Sequence, residues 1–103
     1  MSDTTKIIPT IDDLRARRDD IIQLAEQYGA SDVRAFGSVA RGDATPDSDV
    51  DLLVHFPDNR SIFDLVGLWL DLKDLLGRDV SLVREREQTD PFMQRIKHDL
   101  VPL

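Results

Sequence analysis

Apolar residues along this chain recur at two alternating periods. Ile11, Leu14, Ile21, Ile22, Leu24, Ala25 and Tyr28 fall mostly three or four positions apart, the spacing of one helix face. Thr10 is placed to cap that run, Asp13 follows in the capping-box position, and Gly29 supplies a stop. The pattern predicts a helix from Ile11 to Tyr28, with RARRDD as its charged face. Asp32 to Phe36 alternates in part and predicts a first strand running into Gly37-Ser38. Val39 to Arg41 predicts one helical turn starting at Ser38, and Gly42 to Ser48 reads as a loop by composition.

A second strand is predicted from Asp49 to Phe56. Successive strand side chains alternate faces, so Val50, Leu52, Val54 and Phe56 share one face and Asp49, Asp51, Leu53 and His55 the other. Ser61 can cap the next helix, in which Ile62, Phe63, Leu65, Val66, Leu68, Trp69, Leu72, Leu75 and Leu76 are dense enough to predict the most buried helix of the chain, stopped at Gly77. Arg78 to Arg84 predicts a third strand, and Pro91 opens a last short helix over 92–99. The expected fold class is α/β (α+β): one domain over 1–103, with a three-stranded mixed sheet and about four helices mainly on one face. The other face stays open. Residues 1–9 are expected to form a frayed polar tail.

Composition narrows the function without choosing it. The 103 residues are 41% apolar and 32% charged, ordinary for a soluble globular protein. No apolar run is long enough to span a bilayer, and MSDTTK lacks a signal-peptide core, so no membrane partner is expected. The absence of cysteine removes disulfides and thiolate metal sites and makes the cytoplasm the expected location. A net charge of −7 argues against direct nucleic-acid binding, which needs a basic footprint.

Candidate chemistry concentrates in GSVARGDATPDSDVDLLV, residues 37–54. Asp49 and Asp51 point the same way from one strand, roughly 6–7 Å apart. Two such carboxylates repel each other. A hard cation such as Mg²⁺ relieves the repulsion, because it takes oxygen ligands and is often held by one or two carboxylates plus substrate phosphates. Gly37 and Ser38 can offer backbone N–H groups and a hydroxyl to those phosphates. The stretch therefore reads as a Mg-nucleotide site. Alone, each part has a plainer reading: a solvated Asp-x-Asp strand edge, a Gly-Ser turn, a surface ion pair for Arg41, a surface histidine at His55 and a core tryptophan at Trp69.

Gly37-Ser38, ten intervening residues and Asp49-x-Asp51 together resemble the signature of the DNA polymerase β-like nucleotidyltransferases. On so short a chain, ending in RIKHDLVPL, the string resembles the minimal nucleotidyltransferase (MNT) antitoxins that partner HEPN-domain ribonuclease toxins. The resemblance implies a minimal polymerase β-like fold and an antitoxin that moves AMP from ATP to a tyrosine of its HEPN toxin in a hetero-oligomer, using Mg²⁺, in a two-ion arrangement. It implies metal binding by Asp49 and Asp51, triphosphate binding by Gly37 and Ser38, phosphate neutralisation by Arg41 and ordering of the loop by Ser48. The family's third carboxylate belongs in the later strand, where this chain has Ser81 within GRDVSLV; Asp79 is the nearest acidic replacement. That departure motivates an alternative antitoxin that neutralises by binding. A small-molecule nucleotidyltransferase ranks below both, because the chain leaves no room for a separate acceptor domain.

Overall fold

The computed structural model describes residues 7–103. Of the tail expected to fray, residues 1–6 lie outside the described residues; Pro9 is buried and the Ile7 carbonyl accepts a hydrogen bond from Arg78. Five helices and four strands follow: α1 (Ile11–Ala16), α2 (Arg18–Gln27), β1 (Ser31–Phe36), α3 (Gly37–Arg41), β2 (Val50–His55), α4 (Ile62–Leu76), β3 (Val80–Arg84), α5 (Pro91–Ile96) and β4 (Val101–Pro102).

The helix expected over 11–28 is two. Thr10 and Asp13 close a reciprocal capping box at the start of α1, with bonds of 3.1 and 3.0 Å. The helix then breaks at Arg17 (φ −108°, ψ 16°), whose guanidinium donates to the Leu75 carbonyl at 2.7 Å. No apolar side chain between Leu14 and Ile21 demands a straight axis. The break lets Leu14 of α1 and Ile21 and Ala25 of α2 all reach the core. Later in the chain, Ser61 caps α4 by accepting from Phe63 N–H at 3.1 Å, and Gly77 ends it with φ +65°.

The sheet order is β3-β2-β1-β4, with β2 and β3 parallel and the β1–β2 and β1–β4 pairs antiparallel. The α/β class and mixed sheet agree with expectation; β4 adds a fourth, two-residue edge strand through Ala35↔Val101 and Arg34↔Pro102. One sheet face carries Ala35, Val50, Leu52 and Val54 into the main core with α1, α2 and α4. The opposite face is not wholly open. Phe36 and Leu53, the latter fully buried, pack under Met93 and Ile96 of α5, and Phe36 meets Phe92 edge-on with centroids 5.7 Å apart. α5 thus covers the middle of the face that carries Asp51 at one end.

α4 is less buried than its composition suggests. Leu68 and Leu72 are buried, but Ile62, Phe63, Val66 and Leu70 line its outer side, with Phe63 81% exposed. A helix packed on one side only can bury one stripe, and the remaining apolar residues stay outside. Among the described residues no helix is long and apolar enough to cross a membrane. Because Met93 is the most enclosed residue that α5 brings to the second core, Met93→Ala should lose about 2–5 kcal/mol of unfolding free energy in urea titration. A loss under about 0.5 kcal/mol, the scale of ordinary surface changes, would show that α5 does not dock there.

Candidate functional site

The site is built where β1 ends, α3 begins and β2 starts. Gly37 has φ +74°, and a Cβ there would run into the Asp51 carboxylate. Glycine is required twice at this position, for the left-handed backbone and for the close approach. The antiparallel register puts Phe36 opposite Asp51, which brings the first turn of α3 against β2. Gly42, with φ +81°, ends α3. Its N–H returns to the Ser38 carbonyl at 3.0 Å.

Asp51 is partly buried and Asp49, just before β2, is exposed. Burial holds the Asp51 carboxyl above the ordinary aspartate range, the charge of Asp49 adds to that rise, and Arg41 offsets part of it. A carboxyl with a raised folded-state pKa binds its proton more tightly folded than unfolded. Its stabilising contribution is therefore present at acid pH and lost as pH rises through the folded value. At neutral pH the pair is a source of strain that a cation can relieve.

The loop ahead of the pair is tied down. Ser48 Oγ accepts from Thr45 N–H at 2.8 Å, and Arg78 donates through Nη1 to the carbonyls of Pro46 and Ser48 at 3.0 and 3.1 Å. Arg41 is held at two points, Nε to Asp43 at 3.2 Å and Nη1 to Asp99 at 3.0 Å. The bond to Asp43, then the bond to Asp99, raises its pKa further. Arg78, Asp43 and Asp99 carry no sequence signal for these roles. Asp99 lies 58 residues from Arg41 in the chain, and only tertiary structure joins them.

Ser81 stands directly beside Asp51 in the parallel β2–β3 register, while Val50 pairs with Val80. Asp79 therefore falls level with Asp49, one residue before β3. Its side chain is 78% exposed and ion-paired to Lys73 at 3.8 Å. Among the described residues no three carboxylate or imidazole groups converge as a metal cage. Asp49 and Asp51 fit Mg²⁺ as paired hard-oxygen donors that leave other positions to substrate oxygens or water. A groove of about 890 Å³ meets this region only at its margin. It is lined by Ser48, Asp49, Arg17, Lys73, Arg78 and Asp79 among others, and not by Gly37, Ser38, Arg41 or Asp51. The three groove cations are engaged with Leu75, Asp79 and the 46–48 loop.

Residues 18–101 match the nucleotidyltransferase domain. The chain belongs to the nucleotidyltransferase domain family. Protein adenylyltransferase MntA of Thermococcus cleftensis is 34% identical to this nucleotidyltransferase over 79 residues, covering 77% of this chain and 80% of that one. A solved structure described as a candidate minimal nucleotidyltransferase is 42% identical, covers 91% of this chain and 96% of its own, and superposes with a TM-score of 0.78. A crystal structure of a mutant of the toxin–antitoxin pair MntA–HpeT is 26% identical, with a TM-score of 0.66 over 84% of this chain and 70% of that one.

The close approach at Gly37 separates it from the left-handed Gly42 and Gly77. At Gly42 a Cβ meets nothing within 4 Å, so Gly42→Ala should lose only the backbone penalty of about 1–2 kcal/mol. Gly37→Ala should lose at least about 1 kcal/mol more by chemical denaturation, through displacement of Asp51. Equal losses would place Asp51 away from Gly37.

Proposed function

We propose that this nucleotidyltransferase is the antitoxin of a toxin–antitoxin pair and transfers AMP from ATP to a tyrosine hydroxyl of a HEPN-type toxin, in the cytoplasm where ATP is abundant. The observation that carries the reading is the packing of Gly37 against Asp51 beside Asp49, within a chain similar to MntA over most of its length. Asp49 and Asp51 hold Mg²⁺. Gly37 and Ser38 receive the triphosphate, and Arg41 meets phosphate charge from the last turn of α3. Ser48, with Arg78, fixes the loop that presents Asp49. When bound, the metal supplies Lewis-acid polarisation of phosphate oxygens and charge neutralisation.

The acceptor oxygen forms a bond to the α-phosphorus, the bond to the β-phosphate oxygen breaks, and pyrophosphate departs. The acceptor proton passes to a carboxylate or to water. The chain's part is to orient the triphosphate against the Gly37–Ser38 turn and to hold charge beside the reacting phosphate. Ser81 supplies a hydroxyl level with Asp51 where a third carboxylate would assist that proton transfer.

Two observations favour a second reading, neutralisation by binding with slow chemistry. Ser81, not Asp79, faces Asp51, and the stripe Ile62, Phe63, Val66 and Leu70 on α4 leaves apolar surface available to a partner. Mg-ATP, this protein and its toxin partner should give adenylyl mass additions on the toxin by intact-mass spectrometry. Asp51→Ala should reduce the labelling rate by at least about 100-fold, the upper range for loss of a metal site's supporting contacts. Labelling at the wild-type rate would refute the site. Ser81→Asp should accelerate labelling. Full neutralisation by Asp51→Ala without labelling would select the binding reading.

A further inference from the structure

The chain's ending, RIKHDLVPL, is built into the edge of the site. Ile96 is buried in the second core and Leu100 packs against it. Val101 and Pro102 add β4 to β1 beside Ala35 and Arg34, and Leu103 N–H donates to the Val33 carbonyl at 3.1 Å. Asp99 lies between these anchors, with its own N–H bonded to the Ile96 carbonyl at 2.8 Å. Its carboxylate, 20% exposed, accepts from Arg41 Nη1, whereas Asp43, the other Arg41 partner, is 62% exposed.

Arg41 follows Gly37 by four residues on α3 and lies near enough to Asp51 for its charge to act on that carboxylate. The start of the same helix packs against Asp51, since a side chain at Gly37 would strike its carboxylate. The two tethers engage Nε and Nη1, two of the nitrogens in a guanidinium that carries five N–H donors. The fork is fixed in orientation with donors to spare. A free arginine would sample many rotamers and lose that freedom on meeting an anion.

From this we infer that Asp99 is a positioning residue: the C-terminal segment presets Arg41 beside Asp51, so that an incoming polyphosphate meets an oriented guanidinium. The inference rests on the nucleotide-transfer reading above and adds a second element to the site, contributed from the far end of the chain. Asp99 is the stiffer tether, because α5 and β4 fix it on both sides. Asp43, on an exposed loop, is the dispensable one.

The test measures binding of a non-hydrolysable ATP analogue with Mg²⁺ to the full chain by calorimetry, in wild type, Arg41→Ala, Asp99→Ala, Asp99→Asn, Asp43→Ala and the Arg41→Ala/Asp99→Ala double variant. Asp99→Ala should weaken binding about tenfold, the scale of one charge-assisted hydrogen bond. Asp43→Ala should weaken it less than about threefold, and Asp99→Asn, which keeps an acceptor oxygen, should recover most of the loss. The double variant should bind no more weakly than Arg41→Ala, since Asp99 acts only through that arginine. Wild-type affinity in Asp99→Ala overturns the inference. So does a double variant whose losses add, including one in which Asp99→Ala acts by unfolding. Absence of binding by wild type would defeat the nucleotide reading itself and the inference with it.

Discussion

The Asp51 carboxylate is held partly out of water, next to Asp49 and against a backbone that tolerates no side chain. Desolvation and like charge both oppose its ionised form. Folding nevertheless spends structure on keeping it there. The β1–β2 register sets Phe36 opposite it, Gly37 adopts a left-handed conformation beside it, and the loop before Asp49 is clamped through Arg78. Under the proposed function, that position suits an occupant with positive charge and hard-oxygen preference.

The two faces of the sheet divide the work. One buries Val50, Leu52 and Val54 under α1, α2 and α4, which supplies most of the core. The other is shared between α5 and the site, with Leu53 and Phe36 anchoring the helix and Asp51 left at its margin. At the far end of the same face Arg34 and His55 meet Glu85. Burial raises the Glu85 carboxyl, but those two partners outweigh it and leave its pKa lowered. The sheet around Asp51 is therefore a short strip bounded by α3 and the chain's C-terminal segment, while the exposed apolar stripe of α4 lies on the helix layer of the opposite face.

Local features of the site were legible in the sequence. Strand alternation put Asp49 and Asp51 on one face, and a Gly-Ser turn at the right remove suggested an anion pocket. Non-local features were not. The break at Arg17 depends on a carbonyl 58 residues away, β4 is two residues long and contains a proline, and α5 covers Leu53 from a distant part of the chain. Ser81 beside Asp51 follows from a parallel register that no local pattern encodes, although the family resemblance already puts Ser81 at the third-carboxylate position. Asp99 reaches Arg41 from a segment that β4 returns along β1.

The account turns on Asp51 being strained without a cation and relieved with one, and melting temperature against Mg²⁺ concentration measures that without reference to catalysis. Asp51→Asn keeps the shape and removes the charge. The variant should melt above wild type in chelator, and wild type should gain stability as Mg²⁺ rises while the variant stays flat, since a ligand that binds only the folded form stabilises it by mass action. A variant that melts below wild type in chelator, or two proteins that respond alike to Mg²⁺, would contradict it.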